Sequence, residues 1–345
     1  MKSIYPPGPV MLDLAGLSLT PDEKDRLLSP AAGGLILFSR NYESPAQVAQ
    51  LVAEVRAIRP ELLVAVDHEG GRVQRFRSGF TRLPAAARYA SLSGDAPATL
   101  AETAGWLMAA ELRAIDVDFS FAPVLDVECG ISQVIGDRAF GTDPASAAQI
   151  ALAFAAGMRR AGMAAVGKHF PGHGGVAEDS HLALPVDRRT LADIEARDLA
   201  PFRALIAAGL EGVMPAHVIY EQVDQRPAGF SPFWVRDVLR LRLGFDGAVF
   251  SDDLSMAGAA YAGGYVDRAR LALDAGVDMV LVCNAPGAAE QVLDALSNET
   301  PDPRRAARLE KMRGRFPTDR AELLTSTEWQ AARELVSTLQ EQPTA

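Results

Sequence analysis

Eight short apolar runs recur along the chain: Val10 to Leu14, Gly34 to Phe38, Leu62 to Asp67, Phe119 to Asp126, Ala164 to His169, Gly212 to His217, Ala248 to Asp252 and Met279 to Cys283. Runs this continuous in apolar residues read as strands buried on both faces, and helical patterns lie between most of them. Ser44-Pro45, Thr142-Asp143-Pro144 and Ser231-Pro232 each place a capping side chain beside a proline of a first helical turn. Leu100, Ala104, Leu107, Met108, Leu112 and Ile115 form the apolar stripe of one such helix. Strands alternating with helices imply a parallel sheet covered on both sides, and eight of them fit an α/β fold of the (β/α)8 TIM-barrel type.

A doubly wound open sheet shows the same alternation, so the placement of polar residues decides. Asp13, Asp67, Asp126, Lys168 with His169, His217, Asp252 with Asp253, and Asn284 all fall at or near the carboxyl ends of the runs. In a barrel those ends converge on one face, whereas an open sheet spreads them along an edge. No Gly-x-Gly-x-x-Gly follows the first strand and no Walker-type lysine motif occurs, so nothing supports a nucleotide site. The expectation is a single barrel domain over residues 1–298 with a helical tail, 299–345. Pro301, Pro303 and Pro317 divide that tail, which reads as two helices packed on the barrel's outside. Its arginines, Arg304 to Arg320, read as a solvated helix face before a binding patch.

The net charge of -10 and pI near 5.1 argue against nucleic acid or an anionic membrane as the partner and favour a small or neutral ligand. Cys129 and Cys283 belong to no Cys-x-x-Cys pair and read as free thiols. Prolines follow Met1-Lys2-Ser3-Ile4-Tyr5 instead of an apolar stretch, so no secretory signal is read there. No segment approaches the ~20 apolar residues that span a bilayer. A cytoplasmic protein, acting as a monomer, is expected.

The densest chemistry lies in Lys168 to Pro185, KHFPGHGGVAEDSHLALP, which holds three of the five histidines. It follows an apolar strand and precedes Thr190-Leu191-Ala192-Asp193, whose spacing is that of a capping box. A long loop on a rigid scaffold is where function concentrates. Within it, Asp179-Ser180-His181 sets a carboxylate two residues from an imidazole, whose tautomer and basicity it can fix. Such a dyad can protonate a leaving group and then deprotonate water, or serve only as a loop hydrogen bond. The glycine-rich stretch Gly172 to Gly175 reads as flexible, able to let a histidine of the loop swing in when substrate binds.

Asp252, at the end of the seventh run, is held stiffly enough for a covalent nucleophile, while Asp253 suits a helix-capping role. Asp67 with Arg72 and Arg75 combines an acceptor for hydroxyls with donors, as sugar sites do, and Gly136-Asp137-Arg138 offers another donor. His169 and His173 have the spacing of zinc ligands on a helix, but Pro171 and Gly172 forbid that helix. Barrel metallohydrolases also place paired histidines after the first strand, where this chain has Met11-Leu12-Asp13, so no metal or other cofactor is expected.

Together these motifs resemble the family 3 glycoside hydrolases, and within them the single-domain β-N-acetylglucosaminidases. The resemblance runs over about the first 300 residues, through Gly8 to Asp13, Gly33 to Phe38, Val66 to Phe76, Lys168 to Pro185, Met214 to Tyr220 and Phe250 to Met256. It implies a nucleophile at Asp252, an acid/base at His181 with Asp179 as partner, and sugar-binding roles for Asp67, Arg75, Arg138, Lys168 and His169. It further implies a retaining hydrolase releasing terminal β-linked N-acetylglucosamine from muropeptides, in cytoplasmic peptidoglycan recycling. His68 stands where the family has glutamine, a departure expected to alter the rim of the sugar pocket.

Overall fold

The computed structural model describes residues 6–178, 180, 183–316 and 319–341. Eight parallel strands form its centre: β1 (Val10–Leu12), β2 (Ala32–Leu37), β3 (Leu63–Val66), β4 (Phe119–Ser120), β5 (Val166–Phe170), β6 (Gly212–Pro215), β7 (Ala248–Asp253) and β8 (Met279–Leu281). Their order in the sheet is β4-β3-β2-β1-β8-β7-β6-β5, so neighbours in space are neighbours in sequence except where the first strand pairs with the last. The two edges then meet. Phe119 bridges Ala164, Val124 bridges Lys168, and Val166 N–H donates to Ala122 O at 2.8 Å. The sheet is a nearly closed barrel, and each of the eight apolar runs contributes one strand to it.

Inside, Phe119, Phe121 and Phe250 pack against one another with ring centroids 5.2 to 5.4 Å apart. These rings fill the interior below the carboxyl ends of the strands, so the barrel is a solid support and not a pore.

Helices α1 (Pro21–Leu28), α2 (Pro45–Ile58), α3 (Ala96–Arg113), α4 (Pro144–Arg160), α5 (Leu199–Ala207), α6 (Tyr265–Ala275) and α7 (Pro286–Leu296) cover the outside. Between β6 and β7 a wide-turned π-helical segment, Phe233–Arg242, takes their place. The capping signals act where the sequence puts them. Ser44 Oγ accepts from Gln47 N, Asp143 Oδ2 from Ser146 N and Ser231 Oγ from Trp234 N. Thr190 and Asp193 form the reciprocal box. All six residues of the predicted α3 stripe are buried.

Beyond α7 the described chain forms three helices where two were expected, α8 (Pro303–Glu310), α9 (Arg320–Thr325) and α10 (Thr327–Glu341). Ser326 accounts for the extra break: its backbone is extended and its Oγ accepts from Trp329 N at 3.2 Å, starting α10. The tail's arginines are not simply solvated. Arg308 pairs with Asp246 and Asp278 at 2.9 and 3.4 Å, and Arg313 reaches Glu61 O at 2.9 Å.

Candidate active site

A cavity of about 740 Å3 opens at the carboxyl ends of the strands. Asp67, Arg75, Arg138, Lys168, His169 and Asp252 all line it, with Ile36, Phe38, Phe121, Met214, Met256 and Leu281 as apolar surface. The remaining two site residues, Asp179 and His181, lie outside the described residues, although Ser180 between them lines the cavity.

Five charges alternate along one wall. Arg75 Nη2 stands 3.4 Å from Asp67 Oδ2, and Asp67 Oδ1 accepts from Lys168 Nζ at 2.8 Å. Lys168 Nζ lies 2.6 Å from Glu69 Oε1, and Glu69 grips Arg138 through two bonds of 2.8 and 2.9 Å. Burial alone would raise both carboxyls. For Asp67 it is outweighed by Lys168 and Arg75, and for Glu69 by Arg138 and Lys168, so both sit below the ordinary range. Burial lowers Lys168 in turn, but Asp67 and Glu69 more than offset it and raise the ammonium above its usual value. The row therefore stays ionised and presents fixed donors and acceptors, the arrangement that orients a polyhydroxylated ligand.

Glu69 is the residue that sequence reasoning missed. The minor strands His68–Gly70 and Val73–Gln74 form an antiparallel ribbon after β3, and alternation along it turns residues 67 and 69 toward the cavity together. Period-two counting from Asp67 would have found it. Removing Glu69 would leave Lys168 and Arg138 buried without their shared counter-charge, a loss of about 3–5 kcal/mol for such pairs.

The same alternation corrects the expectation for His68. Its ring does not line the cavity; it packs on Phe76 and Phe80 at 5.9 and 6.0 Å and is 2% exposed. Burial, and then the charge of Arg75, push its imidazole down from 6.5 to about 3. An unfolded chain thus takes up a proton near pH 6.5 that the folded chain refuses until about 3, so this residue erodes stability as pH falls through that interval. His68→Gln is expected to flatten the fall of Tm between those limits and to leave KM unchanged. A Tm against pH curve superimposable on the wild type, or a shifted KM, would contradict the placement.

Close to this row Asp126 organises the histidines. His169 Nδ1 lies 2.7 Å from Asp126 Oδ2, and Asp126 Oδ1 accepts from the backbone N–H groups of His169 and His173 at 3.2 and 2.7 Å. Burial raises this carboxyl, but His169 and His173 bring it below its usual range. Such a carboxylate holds Nδ1 as the donor and leaves Nε2 of His169 for the cavity. His173 Nε2 meets Ser180 Oγ at 3.2 Å, and burial keeps His173 neutral by lowering its imidazole. Among the described residues no three His, Cys, Asp or Glu side chains cluster as a metal set.

The glycines of this loop, expected to make it flexible, are closely packed in this structure. A Cβ on Gly174 would lie 2.1 Å from Val127 O, and one on Gly175 would lie 2.2 Å from the Arg189 guanidinium. Gly172 O accepts from the Tyr220 hydroxyl at 2.9 Å, and Gly174 O from Cys129 Sγ at 2.7 Å. Close approach requires glycine at 174 and 175, and a φ of 143° favours it at 172. Cys129 and Cys283 are both free thiols.

Asp252 and Asp253 separate by function. Asp252 Oδ1 accepts from Asp253 N at 2.8 Å and its carboxylate lines the cavity. Asp253 is taken up by its own turn and the next strand: Ser255 N and Oγ donate to it at 2.9 and 2.6 Å, and Cys283 N at 3.1 Å. Burial, despite those bonds and with Asp252 nearby, pushes Asp253 up to about 6. His217 supports the pair from just past β6, stacking on Phe230 at 5.3 Å with Nε2 3.3 Å from Asp253 O.

A charged, hydroxyl-matching cavity on the carboxyl face of a (β/α)8-type barrel, with a carboxylate at the end of β7, is the layout of a barrel glycosidase. Residues 11–311 match the Glycosyl hydrolase family 3 N terminal domain, and the chain belongs to that family of glycoside hydrolases. It is 64% identical to a protein named Beta-hexosaminidase from Methylococcus capsulatus, over 93% of this chain and 96% of the relative. Identity to the Beta-hexosaminidase of Thioalkalivibrio sulfidiphilus is 61%, over 97% of each chain. The crystal structure of NagZ from Neisseria gonorrhoeae in complex with N-trifluoroacetyl-D-glucosamine superposes with a TM-score of 0.92 at 46% identity, over 97% of this chain and 98% of that one.

Proposed function

We propose that the protein is a retaining exo-β-N-acetylglucosaminidase that removes terminal β-linked N-acetylglucosamine from muropeptides, with or without peptide, during peptidoglycan recycling in the cytoplasm. The observation that carries this reading is the convergence of Asp252 with Asp67, Arg75, Arg138, Lys168 and His169 on one cavity, from segments far apart in sequence. Relatives named Beta-hexosaminidase, and a structural neighbour holding an N-acylated glucosamine, support the same sugar. The barrel of residues 1–298 is read as the catalytic unit.

In this mechanism Asp67 and Lys168 orient the sugar hydroxyls beside Arg75, Arg138 and His169, and Asp252 attacks the anomeric carbon. His181, made basic by Asp179, gives its proton to the departing oxygen. Water then releases the sugar as His181 takes a proton back. A substrate-assisted route would use Asp252 and Asp253 as a pair that steers the acetamide. The bonds from Ser255 and Cys283 to Asp253 commit that carboxylate to the turn and favour the covalent route.

The test is release of 4-nitrophenol from 4-nitrophenyl β-N-acetylglucosaminide by the purified chain in chelator, with and without phosphate. Metal-independent release in phosphate-free buffer is expected. No release, or release that needs phosphate or a metal ion, would overturn the reading as a metal-free hydrolase.

A further inference from the structure

The tail lies largely beyond the stretch that matches the family, yet two of its side chains reach the segment that carries Arg75. From α10, the Trp329 indole N–H donates to Glu111 Oε1 at 2.8 Å. Glu111, buried on α3, accepts from Thr81 N at 2.9 Å and from Thr81 Oγ1 at 2.7 Å. Thr81 O in turn accepts from Gln74 Nε2 at 2.9 Å, and Gln74 Oε1 accepts from Leu83 N at 2.9 Å. Gln74 is buried and immediately precedes Arg75. From α9, the Arg320 guanidinium covers the Phe80 ring 4.8 Å from its centroid and donates to Gly79 O. Phe80 packs on Phe76 at 5.5 Å, and Phe76 stacks on Tyr42 at 4.8 Å.

Residues 76–83 are thus held from two sides by the tail, by a buried hydrogen-bonded path through Glu111 and by a cation over an aromatic ring. Both paths end at the residues flanking Arg75. We propose that residues 319–341 are a positioning element for the substrate-binding arginine: through Thr81 and Phe80 they fix the register of Gln74 and Arg75 against Asp67. This rests on the reading of Arg75 as a sugar ligand. Among the described residues Arg75 meets Asp67 at 3.4 Å and the Phe38 ring at 5.7 Å, both long contacts, so its placement leans on its backbone. The tail sets ligand affinity without touching the ligand.

The experiment compares the full-length chain with Trp329→Phe, Arg320→Met and the double variant. Trp329→Phe keeps the ring and removes the N–H, and Arg320→Met keeps the stem and removes the charge. Val292→Ala, in the buried face of α7, serves as a variant destabilised elsewhere. KM and kcat on 4-nitrophenyl β-N-acetylglucosaminide are measured with Tm and hydrogen exchange of residues 76–83. The double variant is expected to raise KM at least about threefold with kcat held within about twofold, the signature of lost uniform binding. The 76–83 amides should exchange faster, while Val292→Ala lowers Tm and changes neither KM nor exchange there. A double variant that loses Tm but keeps wild-type KM and wild-type exchange would overturn the proposal. Should the wild type hydrolyse nothing, the functional reading fails, and the exchange arm alone then decides whether the tail holds this loop.

Discussion

Replacing Asp252 by asparagine is expected to lower kcat on 4-nitrophenyl β-N-acetylglucosaminide by on the order of 10^4-fold, the scale seen when a covalent nucleophile is removed from otherwise intact machinery. The substitution is nearly isosteric and leaves an Oδ1 to accept from Asp253 N, so the turn after β7 keeps its bond and the fold should be retained. KM should change little, because in the proposed binding mode the hydroxyls are held by the paired Asp67 and Lys168. A wild-type rate in Asp252→Asn would remove this carboxylate from the chemistry. Asp253→Asn makes the informative companion. Its carboxylate serves Ser255 and Cys283, so the expected effect is on Tm first and on rate only through the displaced strand end.

His181→Ala is expected to separate substrates by their leaving groups. General acid catalysis contributes about 10^2–10^4-fold where the departing oxygen is a poor leaving group, as in a disaccharide. For a dinitrophenyl glycoside, whose leaving group needs no proton, kcat/KM should stay near wild type while kcat falls because the second step lacks its base. Asp179→Ala should follow the same pattern more mildly, since the imidazole remains. Equal losses across all leaving groups would show that His181 does not deliver the proton. The comparison tests the two site residues that lie outside the described part of the structure.

Most of the barrel was legible because its two signals agree. Apolar runs gave the strands, and polar residues at their carboxyl ends gave the closed arrangement in which those ends meet. Asp67, Lys168 and Asp252 could be picked for the same reason: each falls at or near the carboxyl end of an apolar run. What escaped the sequence depends on pairs formed across distance. Glu69 shares the alternation of Asp67, but its meaning comes only when Lys168 arrives from β5 and Arg138 from the turn Gly136–Arg138. Asp126 was visible as one more strand-end acid, but its grip on His169 and on the backbone of His173 was not. Glycines at 172, 174 and 175 read as flexibility in the sequence, while their close packing against Asp198, Val127 and Arg189 left no mark there. His68 misled in the opposite way. Its place in a stretch read as sugar-binding hid the alternation that turns it into the aromatic cluster of Phe76 and Phe80. In the tail, a single serine cap at Ser326 split one expected helix into two.

The most direct measurement is mass spectrometry of the wild-type enzyme after incubation with a fluorinated N-acetylglucosaminide that forms the glycosyl-enzyme faster than water releases it. The account predicts a protein heavier by one fluorosugar, with the added mass mapping to the peptide that contains Asp252 and absent from Asp252→Asn. Steady turnover of that substrate with no adduct, or an adduct on another residue, would contradict a covalent nucleophile at the end of β7.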